Sequence, residues 1–228
     1  MDIKNYIKDG SILRYKAVIF DLDGTLLDTL EDLALSVNAV LRRFGFPEHD
    51  VEAYRYFAGD GIEMLVRRAF PQEEGEKSNF ADLVKIVNEE YARRWPEHTK
   101  PYPGIPALLD FLEEQQIPMA IFSNKPHRFV RQTVETLLPD YKFFTVQGLE
   151  EGIPRKPDPT GALQIVEQMH LKPEEIVYVG DTNTDMRTAA AGGFYAAGVL
   201  WGFRSADELQ KEGAQLLVRE PLQLRDLF

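Results

Sequence analysis

Short apolar segments recur along the chain, and most of them are separated by helical patterns. The first, Lys16–Phe20, is continuous and rich in β-branched residues, which is typical of a strand buried on both faces. Leucine and valine recur at helical spacing in Ile105–Gln115 and Phe129–Leu138. This alternation predicts an α/β fold whose parallel sheet carries helices on both faces. Further strands are predicted at Met119–Phe122, Phe143–Val146, Ile176–Val179 and Ala196–Leu200.

The alternation is interrupted between residues 29 and 96, where the pattern predicts helices and no strand. Thr29 and Asp32 have the spacing of a capping box, which would begin a helix whose apolar stripe continues to Phe44. Shorter helices are predicted at Asp50–Phe57 and Ile62–Phe70, and a longer one ends near residue 95.

Three prolines in residues 96–104 indicate a hinge by which the chain returns to the sheet. We therefore predict a core formed by residues 1–28 and 97–228, with a small all-helical cap domain at residues 29–96, inserted after the first strand. Helices packed directly on the sheet are the alternative, but a helical block of this length within one crossover favours a separate cap.

Composition narrows the classes of function. The 228 residues include 26 Lys and Arg against 37 Asp and Glu, a formal net charge of −11. This charge argues against nucleic acid and anionic membranes as partners. The chain has no cysteine, which excludes thiolate catalysis, disulfides and Cys-ligated metals. No signal peptide or membrane-length apolar run is recognisable, so we expect a soluble, cytoplasmic protein.

Polar side chains follow the predicted strands at the points where those strands end. Asp21 and Asp23 follow the first strand, and Ser123 follows the second. Lys156 lies in the loop after the third strand, and Asp181 follows the fourth. Because ligands of open α/β sheets bind outside the carboxyl ends of the strands, we expect these residues to share one crevice.

These residue types suit phosphoryl transfer. Hard oxygen ligands are what Mg²⁺ prefers, and a hydroxyl with a fixed ammonium suits a phosphoryl group. Asp21 is the natural candidate for a covalent nucleophile. Asp23, two residues on, can protonate the leaving oxygen and then activate water if its pKa is raised.

Each motif also has an ordinary explanation when it is taken alone. Residues 21–24 (DLDG) could be a turn, because Asp and Gly are common turn residues. Residues 180–185 (GDTNTD) could be a helix cap, with Asp185 in the first turn. Lys-Pro and Asp-Pro pairs, as in residues 155–159, are common in loops. The combination at successive strand ends favours a site.

In this order, the motifs closely resemble those of the haloacid dehalogenase-like (HAD) superfamily. The matching residues are Asp21 to Thr25 (DLDGT), Ser123, Lys156, and Gly180-Asp181 together with Asp185. The resemblance covers nearly the whole chain. It implies a Rossmann-like core with strand order 3-2-1-4-5 and a helical cap at the position of the predicted insert.

The resemblance also implies a role for each motif. Asp21 would be the nucleophile and Asp23 the acid/base. Ser123, Asn124 and Lys156 would hold the phosphoryl group. Mg²⁺ would be bound by Asp21, the carbonyl of Asp23 and Asp181, with Asp185 in support through water or the lysine.

At finer grain the chain is similar to the phosphoglycolate phosphatase group. The similarity rests on residues 124–126 (NKP), 59–61 (GDG) and 201–203 (WGF), and on a helix that carries Arg67 and Arg68. It makes Gly59, Asp60, Gly61 and Arg67 candidate specificity residues. The glycines could equally be turn residues, and the arginines a solvated face.

We therefore predict a Mg²⁺-dependent phosphomonoester hydrolase that acts on a small phosphorylated metabolite through an aspartyl-phosphate intermediate. Phosphoglycolate is the leading substrate. Pyrophosphate, a sugar phosphate or a nucleotide are alternatives, as is a phosphomutase. The resemblance disfavours metal-free dehalogenation, because dehalogenases with a similar core lack the second aspartate, here Asp23. The presence of every motif residue disfavours a non-catalytic HAD-like binding module. Neither nucleic acid nor membrane is an expected partner, and the protein would be a monomer or a homodimer.

Overall fold

A computed structural model describes residues 15–76 and 80–228. The described residues form eight strands: β1 (Ala17–Phe20), β2 (Leu27–Asp28), β3 (Lys100–Pro101), β4 (Met119–Pro126), β5 (Thr145–Leu149), β6 (Ile176–Gly180), β7 (Tyr195–Val199) and β8 (Leu216–Val218). Six of them form one parallel sheet in the order β5-β4-β1-β6-β7-β8. The five strands predicted from the sequence correspond to β1, β4, β5, β6 and β7 in chain order. Their order in the sheet, β5-β4-β1-β6-β7, is the predicted order 3-2-1-4-5, which is therefore confirmed, and β8 extends the sheet beside β7.

The described residues form ten α-helices, five of them in succession between β2 and β3 and five that alternate with the later strands. They are α1 (Leu30–Arg43), α2 (Tyr54–Phe57), α3 (Ile62–Ala69), α4 (Gln72–Glu76), α5 (Phe80–Arg94), α6 (Ile105–Glu114), α7 (His127–Leu137), α8 (Thr160–Gln168), α9 (Asn183–Gly192) and α10 (Ala206–Lys211). Among the described residues, no helix combines the length and the apolar character needed to cross a bilayer.

Both faces of the sheet are covered, as the continuous apolar strands predict. Alternate residues of β1 enter two different clusters, with Val18 and Phe20 on one side and Ala17 and Ile19 on the other. The first cluster contains the apolar faces of α6 and α7, and the second those of α8 and α9. The α/β fold class is confirmed.

The boundaries of two core strands differ from the sequence prediction by more than one residue. Phe143 and Phe144 precede β5 rather than begin it, and Phe144 is 48% exposed. The sequence prediction placed the start of the strand at Phe143 because the two aromatic residues are apolar, although both lie before the strand. β4 continues four residues beyond Phe122, so Ser123 lies within the strand rather than after it.

Between β2 and β3 the described residues form helices and turns without a strand, as the sequence pattern predicts for residues 29–96. β2 and β3 pair antiparallel, with Leu27 opposite Pro101 and Asp28 opposite Lys100. Helices α1 to α5 are called the cap helices below. Residues of α1, α2, α3 and α5 form one apolar cluster, which Phe129 and Phe203 also join. The predicted helix at residues 50–57 is a 3₁₀ turn, Val51–Ala53, followed by α2.

The predicted capping box at the start of α1 is wrong. Thr29 is the N-cap residue, but its side chain makes no capping hydrogen bond. Asp32 instead accepts hydrogen bonds from the backbone N–H and the hydroxyl of Thr99, at 2.8 and 2.6 Å, and from the backbone N–H of His98. The carboxylate therefore joins the first cap helix to the returning chain.

Candidate active site

The carboxyl ends of the central strands bring the predicted polar residues together. Asp21 follows β1, Ser123 lies in β4, and Asp181 follows β6. Lys156 comes from the loop between β5 and α8, and Asp185 from the first turn of α9. Carboxylate oxygens of Asp21, Asp181 and Asp185 all lie within 4.8 Å of one another, and all three residues are buried.

Lys156 is the cation at the centre of this group. Its Nζ lies 2.9 Å from Oδ1 of Asp21 and 2.7 Å from Oδ1 of Asp185. Only 1% of the lysine side chain is exposed. Burial lowers the pKa of Lys156, but the charges of Asp185 and Asp21 outweigh burial and raise the pKa well above its usual value. The ammonium therefore remains charged.

Asp185 is held in place by the helix cap that the GDTNTD pattern suggested. Its Oδ2 accepts hydrogen bonds from the backbone N–H and the hydroxyl of Thr182, at 3.0 and 2.6 Å. Thr182 in turn accepts a hydrogen bond from the backbone N–H of Asp185. Because its other oxygen accepts from Lys156, the carboxylate positions the lysine.

Asp181 is fixed from two directions. Its Oδ1 accepts a hydrogen bond from the hydroxyl of Thr25 at 2.9 Å, and its Oδ2 accepts one from the backbone N–H of Phe203 at 2.7 Å. Trp201 supports this arrangement, since its Nε1 donates to the carbonyl of Thr25. The motif WGF thus contacts the motif DLDGT through the side chains and backbone around Asp181.

The site carries more negative charge than its lysine can neutralise. When all three buried carboxylates are ionised, the single ammonium of Lys156 leaves two negative charges without a partner. Burial raises the pKa of Asp21 to about 7, although Lys156 lowers it. Burial also raises the pKa of Asp181 well above its usual range, and the charges of Asp185 and Asp21 raise it further. These carboxylates therefore suit a divalent cation with hard oxygen ligands.

Ser123 and Asn124 lie beside the carboxylates, but their side chains are used differently. The hydroxyl of Ser123 lines the cavity and accepts a hydrogen bond from the backbone N–H of Lys125 at 3.3 Å. The amide of Asn124 accepts from the backbone N–H of Lys156 at 2.8 Å and donates to the carbonyl of Gly59 at 3.3 Å. Asn124 thereby links the lysine loop to the cap.

Asp23 is paired with a second lysine that belongs to the core. Nζ of Lys125 lies 2.8 Å from Oδ1 of Asp23 and donates a hydrogen bond to the hydroxyl of Tyr91, on cap helix α5, at 2.6 Å. Burial lowers the pKa of Lys125, but Asp23 and Tyr91 outweigh it and raise the pKa. Burial raises the pKa of Tyr91 to about 12. Both groups are therefore protonated near neutral pH.

The four candidate specificity residues of the cap divide into two groups. Gly59 and Gly61 line the cavity over the carboxylates. The carboxylate of Asp60 points away, to Arg68 and to the hydroxyl of Thr184, each at 2.5 Å. The guanidinium of Arg67 lies over the ring of Phe80, 4.1 Å from its centre. Asp60 and Arg67 are thus absent from the described residues that line this cavity.

Three functional contacts were not anticipated from the sequence. Thr25, Lys125 and Tyr91 were not assigned roles, although Thr25 and Lys125 belong to the quoted motifs. The signal in the sequence that could have identified Lys125 is its position two residues after Ser123. Nothing in the local pattern around Tyr91 distinguishes it from the other apolar positions of α5, so that contact could be found only from the packing of cap on core.

Comparison with known proteins gives three kinds of match. The family model for haloacid dehalogenase-like hydrolases matches residues 18–199. A phosphoglycolate phosphatase of Chromobacterium violaceum is 33% identical over 216 residues, which cover 93% of this chain and 96% of that protein. Phosphoglycolate phosphatase 1 of Pseudomonas aeruginosa is 32% identical over 220 residues, covering 93% of this chain and 78% of that protein.

Solved structures agree with the sequence matches. The crystal structure of a candidate phosphoglycolate phosphatase from Lactobacillus delbrueckii subsp. bulgaricus has a TM-score of 0.86 to this chain and 31% sequence identity. The match covers 93% of this chain and 98% of that one. The resemblance drawn from the motifs is confirmed, and the chain belongs to the haloacid dehalogenase-like hydrolase family.

Proposed function

We propose that the protein is a Mg²⁺-dependent phosphomonoester hydrolase that works through an aspartyl-phosphate on Asp21. The observation that carries the proposal is the placement of Lys156 between Asp21 and Asp185, at 2.9 and 2.7 Å. A buried, charged ammonium beside a candidate nucleophile can bind a phosphoryl oxygen and stabilise the charge that develops during transfer. The names of the relatives support the same activity.

The metal would be held by the carboxylates of Asp21 and Asp181, together with the backbone carbonyl of Asp23. With all three carboxylates ionised, the two negative charges that Lys156 does not neutralise match one divalent cation. When bound, Mg²⁺ supplies charge neutralisation that lets an anionic carboxylate approach an anionic phosphoryl group. Thr25 and the backbone N–H of Phe203 orient Asp181 for this role.

In the first step, a carboxylate oxygen of Asp21 attacks the phosphorus atom. The bond between phosphorus and the ester oxygen breaks, and its electron pair leaves with that oxygen. Asp23 donates a proton to the leaving oxygen, so an alcohol departs. Lys156 and the hydroxyl of Ser123 hold the non-bridging oxygens of the phosphoryl group during the transfer.

In the second step, Asp23 is a carboxylate and accepts a proton from a water molecule. The water oxygen attacks phosphorus, and the bond between phosphorus and Asp21 breaks. Phosphate leaves and Asp21 regains its carboxylate. Asp23 now holds the proton taken from the water, as it held a proton before the first step, so the enzyme is ready for another cycle.

The substrate we propose is a small phosphorylated metabolite, with phosphoglycolate as the first candidate. Phosphoglycolate phosphatases are the named relatives, at about one third identity over most of this chain. Gly59 and Gly61 of the cap line the same cavity as Asp21, which supports a small ligand covered by a cap at residues 29–96. The net charge of −11 argues against a nucleic-acid substrate, and it does not forbid a small anion because a bound metal and local cations can reverse the field inside one cleft.

The test is phosphate release from 2-phosphoglycolate beside pyrophosphate, sugar phosphates and nucleotides. Assays would be run with Mg²⁺ and with EDTA, and with Asp21→Asn as the blank. We expect Mg²⁺-dependent turnover of one compound with kcat/KM of about 10⁴ M⁻¹s⁻¹ or more. Absence of release from every compound would contradict the proposal, and preference for a compound other than phosphoglycolate would replace the substrate.

A further inference from the structure

Lys125 stands at the side of the cavity where a leaving group would lie. Its ammonium contacts the carboxylate of Asp23, the proposed proton donor to the leaving oxygen, at 2.8 Å. It also contacts the hydroxyl of Tyr91 from the cap at 2.6 Å. Only 6% of the lysine side chain is exposed. Burial of a charge is unfavourable unless it is paired, and Asp23 supplies the paired charge for this deeply enclosed cation.

The rest of the cavity wall around Lys125 is apolar or neutral apart from the catalytic carboxylates. Leu65 and Ile62 of α3 and Phe129 of α7 line it, together with the neutral amide of Asn88. Among the described residues that line this cavity, Lys125 is the one cation. A negative charge on the leaving group would therefore meet its counter-charge at Lys125.

We propose that Lys125 binds a carboxylate on the leaving group and so makes the enzyme select phosphate esters of short hydroxy acids. This inference rests on the proposed function, in which Asp23 donates its proton to the ester oxygen. The ammonium has three hydrogens, of which Asp23 and Tyr91 take two in the described contacts. The third can be donated to the ligand.

The spacing of the two groups fits such a ligand. In an ester of a 2-hydroxy acid, one carbon atom separates the ester oxygen from the carboxyl carbon. Asp23 and Lys125 are in hydrogen-bond contact, so one can hold the ester oxygen while the other holds the carboxylate. A longer or bulkier leaving group would extend toward Leu65 and Phe129.

Tyr91 makes the same recognition depend on the cap. Its hydroxyl oxygen accepts a hydrogen bond from Lys125, which leaves its own hydrogen to be donated to a ligand carboxylate. Nζ of Lys125 lies 4.8 Å from the centre of the Tyr91 ring, on the side of its hydroxyl. The carboxylate site is therefore shared between the core strand β4 and the cap helix α5.

The test measures binding rather than turnover. In an Asp21→Asn background with Mg²⁺, calorimetry would give the Kd of 2-phosphoglycolate and of ethyl phosphate, which lacks the carboxylate. We expect 2-phosphoglycolate to bind more tightly. Adding Lys125→Met should weaken it by about 30-fold, the range of a charge-assisted hydrogen bond, while ethyl phosphate changes by less than about 3-fold.

Two further variants keep the test decisive. Lys85→Met removes the same charge from an exposed position on the same cap helix as Tyr91 and should leave both Kd values unchanged. Lys125→Gln keeps a hydrogen-bond donor without the charge and serves if Lys125→Met does not fold. It should weaken 2-phosphoglycolate selectively as well.

The outcomes separate this inference from the proposed function. Equal affinity of the parent for the two ligands, or equal losses for both in the Lys125 variants, would overturn the carboxylate site. If the wild-type enzyme still hydrolysed ethyl phosphate, phosphatase activity would stand. Failure of both ligands to bind, with no hydrolysis by the wild type, would overturn the two proposals together.

Discussion

Gly24 lies against the carboxylate of Asp181, so closely that an added Cβ atom would overlap both oxygens of that side chain. The backbone of Gly24 also has a φ of +90°, which residues with a side chain rarely adopt. The turn after β1 thus brings the backbone directly to the proposed metal ligand. Gly24→Ala should displace Asp181 and lower kcat/KM by about 10²-fold or more, because Asp181 is one of the two carboxylates proposed to bind the metal.

Gly45→Ala is the matched control for that prediction. Gly45 has a φ of +77°, and no atom lies within 4 Å of the position that its Cβ would take. The two variants share the backbone strain of about 1 kcal/mol but not the collision with Asp181. A loss of Mg²⁺-dependent activity in Gly45→Ala equal to that in Gly24→Ala would show that strain, not displacement of Asp181, is responsible.

Lys156→Met should lower both activity and stability. Removal of the ammonium leaves Asp21 and Asp185 without their counter-charge in a buried site, which costs about 3–5 kcal/mol. Loss of the group that holds the phosphoryl oxygens should reduce kcat by about 10²-fold or more. Urea unfolding and steady-state kinetics measure the two effects.

Lys16→Met provides the contrast for Lys156. Lys16 forms a surface ion pair with Glu175 at 2.5 Å, and 60% of its side chain is exposed. Its removal should change the free energy of unfolding by less than about 1 kcal/mol and leave activity unchanged. Equal destabilisation by the two variants would contradict the assignment of a special role to the buried lysine.

Asp21→Asn should change how stability depends on pH in metal-free protein. Burial raises the pKa of Asp21 from 3.8 to about 7, so between these values the folded state binds a proton that the unfolded state has released. Stability therefore falls as pH rises through this window and is not regained above it. In EDTA, the variant should lose less stability than the wild type between pH 4 and 7.

The check is the melting temperature of both proteins across that range. A steeper decline with rising pH in Asp21→Asn than in the wild type would contradict the conclusion that burial raises the pKa of Asp21. Added Mg²⁺ should raise the melting temperature of the wild type at pH 7, because it binds the ionised carboxylates of the folded state.

Asp32→Ala should loosen the junction of cap and core. The substitution leaves the N–H and hydroxyl of Thr99 and the N–H of His98 without their acceptor, at a cost of roughly 3 kcal/mol. Glu31→Ala, its neighbour with a side chain 56% exposed, should change stability by less than about 0.5 kcal/mol. The midpoints of urea unfolding measure the destabilisation by each variant. Similar shifts of the midpoint in Asp32→Ala and Glu31→Ala would contradict the structural role of Asp32.

The sequence predicted what depends on local pattern. Apolar runs identified the buried strands, and the polar residues at their ends identified the crevice, because parallel strands share one carboxyl edge. The order of strands came from the resemblance rather than from any pattern. Asp21, Lys156 and Asp185 meet as expected, although they are far apart along the chain.

What the sequence did not predict depends on contacts between distant segments. Asp32 looked like a capping residue because its spacing from Thr29 is local, but its partner Thr99 lies 67 residues away. Lys125 and Tyr91 come from different parts of the molecule and meet only when the cap packs on the core. Arg67 looked available to substrate, yet its guanidinium lies over Phe80.

The proposed covalent role of Asp21 is tested most directly by trapping its phosphorylated form. In Asp23→Asn, an activated ester such as p-nitrophenyl phosphate needs no proton for its leaving group, whereas the second step still lacks its base. We predict a burst of one p-nitrophenol per active site, followed by a stall. Borohydride reduction of the quenched protein should then convert residue 21 to homoserine, seen by peptide mass spectrometry. A burst that leaves residue 21 unmodified, or a label on another residue, would contradict the assignment of Asp21 as the nucleophile.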